Sequence, residues 1–239
     1  MFITKELLKD LGACEEGIED FVRVFPNGTE FTEDAIKIAK DNDISCDLVV
    51  WVIEKLRITI KNLDLSGDKF WYTNGLLDRA DGPAIEYSNG EKFWYTNGLL
   101  NRADGPAVEF ASGGKEWYTN NLLNRADGPA IEFASGDKRW YSNGLLNRAD
   151  GPAIEYANGD KLWYINGKFD RSGGPAIECS DGNKFWYING QLSRADGPAV
   201  EYADGDKLWY TNGLLNRADG PAIEYADGRK KWYRNGKEF

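Results

Sequence analysis

From residue 68 to the end of the chain, apolar and polar positions recur at a fixed interval of 23 residues. One unit, residues 68–90, reads DKFWYTNGLLDRADGPAIEYSNG. Its period is marked by Trp71, Trp94, Trp117, Trp140, Trp163, Trp186, Trp209 and Trp232, each followed by a tyrosine. Seven full units reach residue 228, and a partial eighth, RKKWYRNGKEF, covers 229–239. A constant period of this size means an array of identical supersecondary units, each packed mainly on its neighbours.

Within the unit the pattern is that of strands. Gly, Pro and Asn-Gly interrupt any helical period, while KFWYT and PAIEY are rich in residues that suit a pleated surface. Asn74-Gly75 is a two-residue hairpin turn, since both residues tolerate positive φ. In the third unit Asn121 replaces that glycine, and asparagine is the side chain best able to adopt the same conformation. Asp81-Gly82-Pro83 makes a second break, with Pro83 at an acceptable strand start. Residues 88–90 make a third turn. The minimum is two antiparallel strands per unit, KFWYT and PAIEY, with LLDR as a short extended piece. At about 4.8 Å per strand, about fifteen strands extend on the order of 70 Å. Period-two alternation places Trp71 and Tyr72 on opposite faces, Ile85 with Tyr87, and Ala84 with Glu86. The predicted fold is mainly β with a small α-helical N-terminal domain. The β part is an elongated, twisted antiparallel β-hairpin repeat array, either a single-layer sheet or an open solenoid.

Residues 1–57 follow a helical pattern instead. Thr4 caps a helix over 5–11, and a second covers 15–24 with Ile18, Phe21 and Val22 on one face, ending at Pro26-Asn27-Gly28. Thr32 caps a third over 34–40, and a fourth over 46–56 buries Leu48, Trp51, Val52 and Leu56. Residues 58–67 (from ITIKNLDL) supply a joining strand and turn, and 68–239 the array. Four short helices at the start of a sheet serve as a cap over an otherwise open edge, or as a docking module.

Charge narrows the partners. The 239 residues carry 29 Lys/Arg against 39 Asp/Glu, a net −10. An acidic chain repels phosphate backbones and anionic headgroups, which argues against nucleic acid. Mean hydropathy is −0.57, and no stretch nears the roughly 20 apolar residues of a spanning helix, so no membrane insertion is expected. The N-terminus lacks a secretory h-region, and Cys14, Cys46 and Cys179 are too few and too irregular for a disulfide framework or zinc site; together these point to the cytoplasm and reduced thiols. Histidine is absent, which removes the commonest general base and metal ligand. No catalytic residue, metal site or cofactor is expected.

The recurring charges have two readings. Arg79 with Glu86, and their equivalents, form either a charged rail for a ligand or a ladder of ion pairs between neighbouring units. Asp81 and its equivalents at 104, 127, 150, 196 and 219 suit turn chemistry better than calcium, since one carboxylate per unit supplies too few oxygens. The candidate binding face combines positions beside the tryptophans: Phe70, Tyr72, Phe93, Tyr95, Tyr118, Tyr141, Leu162, Tyr164, Phe185, Tyr187, Leu208 and Tyr210. The eight tryptophans are assigned to structure. Departures from the consensus (Asn121, Lys168-Phe169, Gly173, Cys179) lie at separate positions and assemble no acid, base or nucleophile set.

The unit W-Y-x-N-G-x-L-x-R-x-D-G-P-A-x-E-Y-x-x-G resembles the MORN family, in particular its bacterial and phage variants. The resemblance rests on Trp71, Asn74-Gly75, Gly82 and Asn89-Gly90, repeated over about 170 residues; Arg-Ala-Asp-Gly stands where that family usually has His-Gly. It implies an extended hairpin array that scaffolds, tethers or oligomerises and has no enzymatic activity. A looser similarity links W-Y and N-G to the aromatic repeats of cell-wall and choline-binding modules, whose Thr-Gly-Trp element this chain lacks. Sequence therefore predicts a scaffold binding another protein through a multivalent aromatic and charged β-surface. Carbohydrate or cell-envelope binding through the Trp/Tyr ladder is the alternative, and a structural spacer the second. An exposed final strand near Lys231–Arg234 leaves homo-oligomers open.

Overall fold

The computed structural model describes residues 1–65 and 67–239, without the side chains of Cys46 and Asn62. The turn expected before residue 68 therefore falls partly outside the described residues, at Ser66, as does the thiol of Cys46. The chain divides into two compact units, Met1–Ala111 and Ser112–Phe239.

In the first unit, four helices form over the expected segments, the first and third at the expected caps. They are α1 (Lys5–Asp10), α2 (Glu15–Val24), α3 (Glu33–Asp41) and α4 (Cys46–Lys55). Thr4 Oγ1 accepts from the Leu7 amide, Thr32 Oγ1 from Ala35 and Ser45 Oγ from Asp47. Each satisfies an amide that the helix itself leaves without a partner. At α2 the cap is Cys14, whose Sγ accepts from the Gly17 amide. A short ribbon pairs Phe2–Ile3 with Thr29–Glu30. The helical core is built from Ile3, Leu8, Ile18, Phe21, Ala39, Ile44, Leu48 and Val52, with Val22, Trp51 and Leu56 half-buried against it.

A second cluster joins head to array. Ile36, Val49 and Ile53 pack with Ile60, Leu63, Leu65 and Tyr72. Strand Ile60–Leu65 pairs antiparallel with Asp68–Thr73, with a register shift between Ile60 and Leu63. The Gly75 amide donates to Ile58 O at 3.0 Å. A Cβ at Gly75 would lie 2.7–2.9 Å from backbone atoms of Arg57, Glu54 and Ile53, so only glycine lets the end of α4 rest on this turn. The head thus packs against the first strand of the array.

The array is a regular series of antiparallel hairpins with the 23-residue period. The fourth repeat, in the second unit, shows the plan. Lys138–Arg139 pairs with Ile131–Glu132 on one side and Ile154–Glu155 on the other. Tyr141–Ser142 then pairs with Leu145–Leu146 around Asn143-Gly144, whose φ values of 49° and 79° make the mirror-image turn favoured in hairpins. Asn121 takes φ 65° in the third repeat, as the glycine-replacement argument requires. At the end of the repeat the Tyr156 amide donates to Asp160 O around a three-residue turn, with Gly159 at φ 97°. Within each unit the long sheet pairs in chain order and never returns to its start, so it is not closed into a barrel.

The expected single KFWYT strand is a correction. After the first repeat it divides at tryptophan into two strands serving different neighbours. The Trp140 amide donates to Ala153 O across the long sheet, while its own carbonyl accepts from the Asn147 amide across the hairpin. Tryptophan is the junction where the chain leaves one set of pairings for the other. Only Asp68–Thr73 runs unbroken, because Ile60 extends its pairing to Tyr72. Successive hairpins are also linked: the Gly167 amide donates to Leu146 O at 2.8 Å and the Asn166 amide to Asn147 Oδ1 at 3.0 Å.

The array interior is narrow. Ala84, Ala107, Ala130, Ala153, Ala176, Ala199 and Ala222 are all 0% exposed. Beside all but Ala176 sits a buried Ile or Val, each contributing about 1.5–3 kcal/mol of transfer free energy.

Tyr72 is 4% exposed, and burial, then Glu54 and Tyr87, push its pKa up to about 12. Ionising it is harder in the folded than in the unfolded chain. Its contribution is therefore complete below pH 10 and lost as pH rises through 12. We expect Tyr72→Phe to reduce the stability lost between pH 10 and 12 by about 2 kcal/mol. An equal loss in both proteins, by denaturant unfolding, would contradict this.

Candidate interaction surface

The loop arginine organises each repeat. In the fourth, Arg148 lies over the Trp140 ring, its Cζ 4.0 Å from the centroid. Its Nε donates to Asp150 Oδ1 at 3.0 Å, and its Nη1 to Pro152 O at 3.1 Å and to Glu155 Oε1 at 2.9 Å. The opposite side of the guanidinium meets Gly151, where a Cβ would stand 2.8 Å from Cζ. The glycine before proline is therefore required by contact with arginine, not by positive φ. Arg79, Arg102, Arg125, Arg171, Arg194 and Arg217 stack in the same way, at 3.7–4.1 Å.

This arrangement corrects the expected ladder between units: Arg79 reaches Glu86 at 3.1 Å inside its own repeat, and so do its equivalents. It also explains the loop aspartates, which are partners of arginine. Asp81, Asp104, Asp127 and Asp196 are held below the usual carboxylate range, first by the arginine hydrogen bond and then by its charge. Among the described residues, no group of three or more His, Cys, Asp or Glu could hold a metal ion.

The candidate face divides by layer. Phe70, Phe93, Leu162, Phe185 and Leu208 lie in the long sheet, each opposite a buried or half-buried Ile or Val. The three phenylalanine rings meet the aromatic that ends PAIEY edge-on: Phe70–Tyr87 at 6.1 Å, Tyr87–Phe93 at 5.5 Å and Phe185–Tyr202 at 5.9 Å. Tyr95, Tyr118, Tyr141, Tyr164, Tyr187 and Tyr210 lie in the hairpins and are half-buried. Burial, followed by neighbouring tyrosines, raises the pKa of Tyr95, Tyr164, Tyr187 and Tyr210. Tyr72 belongs to the core and offers no surface. Trp71 to Trp209 are half-buried beneath their arginines. Trp232, in the partial repeat, is exposed and has no such cover among the described contacts. The last strand of the long sheet, Lys230–Lys231, pairs with Ile223–Glu224.

A surface not anticipated from sequence runs along the hairpins. In the second unit Leu122, Leu145, Ile165, Ile188 and Leu214 are 39–51% exposed. Two repeats depart from the consensus together. Where Lys168 and Gln191 replace leucine, the cross-strand partners become Ile165 and Ile188 in place of threonine or serine. Each of these hairpins therefore keeps one exposed aliphatic side chain. The signal was present as a paired substitution, visible only once the register Thr119↔Leu122 is known. In the first unit Leu76 and Leu99 hold the same position.

No protein-family model matches the chain, and no curated protein matches it. Among the described residues no helix is long and apolar enough to cross a membrane.

Arg148→Gln should destabilise the array by about 1–3 kcal/mol, through lost stacking and an unpaired Glu155. Arg148→Lys should recover less than half of this, since ammonium cannot stack and fork at once. Full recovery by lysine in denaturant unfolding would show that charge alone matters.

Proposed function

We propose that this chain is a non-catalytic, MORN-like scaffold that binds another protein through its repeated β surface. The exposed aliphatic row carries the reading. An apolar side chain kept exposed in the hairpin of each of the seven full repeats, by paired changes where the consensus fails, costs solubility and contributes nothing to the interior. Evenly placed weak contacts on a stiff array add through effective concentration, which suits an extended or repetitive protein partner. The half-buried tyrosines beside the row supply the amphipathic surface common at such interfaces. Its acidic balance disfavours nucleic acid, and Cys14 and Cys179, both free thiols, agree with work in the cytoplasm.

Carbohydrate stacking on the tryptophans finds less support, because an arginine already occupies one face of seven of these rings. A spacer without a ligand has no use for the aliphatic row.

Replacing Leu122, Leu145, Ile165 and Ile188 together by asparagine should lower capture of the binding protein from host lysate by about tenfold or more. Far-ultraviolet circular dichroism should stay unchanged, since these side chains lie outside the core. Undiminished capture by a folded variant would refute the row as the binding surface.

A further inference from the structure

The fifth repeat breaks the arginine pattern at one place. In the third, fourth, sixth and seventh repeats, Nε of the loop arginine donates to an aspartate two residues on, at 2.9–3.1 Å. In the fifth, RSGGPA stands for RADGPA, and Gly173 occupies the aspartate position. Arg171 keeps its stack on Trp163 and its Nη1 bonds to Pro175 O and Glu178. Its Nε has no acceptor among the described residues. Its side chain is 29% exposed, against 21–22% for the other four in this unit. Gly173 takes φ 81°, unlike the aspartates at this position, and a Cβ there would meet nothing within 4 Å. Arg171 and Gly173 line a surface cleft of about 260 Å³, together with Trp186, Ile188, Ser193 and Arg194.

We propose that this cleft is a carboxylate-binding site, in which a ligand's carboxylate takes the place that aspartate fills in the other repeats. The same contact recurs elsewhere in the molecule. Four neighbouring arginines, held by the same tryptophan, proline carbonyl and glutamate contacts, each bind a carboxylate oxygen through Nε. Arg171 keeps the stacking and Nη1 contacts of its neighbours, so only part of its ordering remains to oppose binding. Its guanidinium presents a fork that suits a planar carboxylate. The surrounding charges do not forbid an anion: Arg194 and Asp196 both line the cleft and are paired with each other, and Glu178 is engaged by Arg171. Exposed Ile188 gives an apolar contact beside it, which favours an Asp or Glu side chain of a peptide over a bare anion. Ile188 also belongs to the aliphatic row, but the carboxylate contact is made by Arg171, so the site stands even if replacing that row leaves capture unchanged.

The test is a titration of the full chain, following the arginine Nε–H signals by nitrogen-15 NMR. Acetate and an acetylated triglutamate peptide are the two probes. The Arg171 signal should shift saturably with both, while those of Arg148 and Arg194 stay fixed. Half-saturation by the peptide at about tenfold lower concentration would assign a protein source, and equal values a small carboxylate. Ser172→Ala with Gly173→Asp restores the consensus loop and should abolish the response. In the converse variant, Ala149→Ser with Asp150→Gly, Arg148 should begin to respond, which keeps the idea testable if the first variant folds poorly. No saturable shift at Arg171, an unchanged shift in the restored loop, or silence at Arg148 in the converse variant would each overturn the proposal.

Discussion

The array depends on a guanidinium held between an indole ring and a bare stretch of backbone. Tryptophan supplies the flat surface and glycine the absence of a side chain. Proline and glutamate then take two of the donors that stacking leaves at the rim. A thin β structure has too little interior to hold itself by burial alone. One alanine and one branched residue per repeat cannot fix a seven-residue loop. The arginine does so locally, by joining the loop, the aromatic strand and the PAIEY strand at a single point. Most of this contact is intermediate in exposure, so its strength comes from several modest terms in one geometry, not from one large one.

The tryptophan backbone has a second and separate part. Its amide faces one set of strands and its carbonyl another. The same residue therefore sets where the chain turns out of the long sheet and carries the surface on which the arginine rests. Aromatic bulk and backbone wiring coincide at one position, which accounts for the unvarying 23-residue spacing better than either would alone.

Much of the fold was legible because its signals are local. Caps at Thr4 and Thr32, the Asn-Gly turns and the positive φ at Asn121 follow from chemistry within a few residues. The break at tryptophan was not legible, since alternation within KFWYT is identical whether the five residues serve one neighbour or two. The pairing of Arg148 with Glu155 was readable as a pair but not as internal to a repeat. Equal spacing makes contacts within and between repeats indistinguishable on paper. The exposed aliphatic row escaped notice for a related reason. Lys168 looks like an isolated departure until the register places Ile165 opposite it, and exposed leucines beside a hairpin turn read as ordinary strand residues.

The hydrogen bond from each turn asparagine to the polar residue closing the preceding hairpin has a consequence for how such a chain changes length. Asn124, Asn147, Asp170, Ser193 and Asn216 all serve as the acceptor, so the junction needs only a short side-chain oxygen. Any repeat can then follow any other. Duplication or loss of a 23-residue segment creates no new kind of boundary, and the helical head, which among the described residues packs on the first strand and hairpin of the array, is indifferent to how many come after.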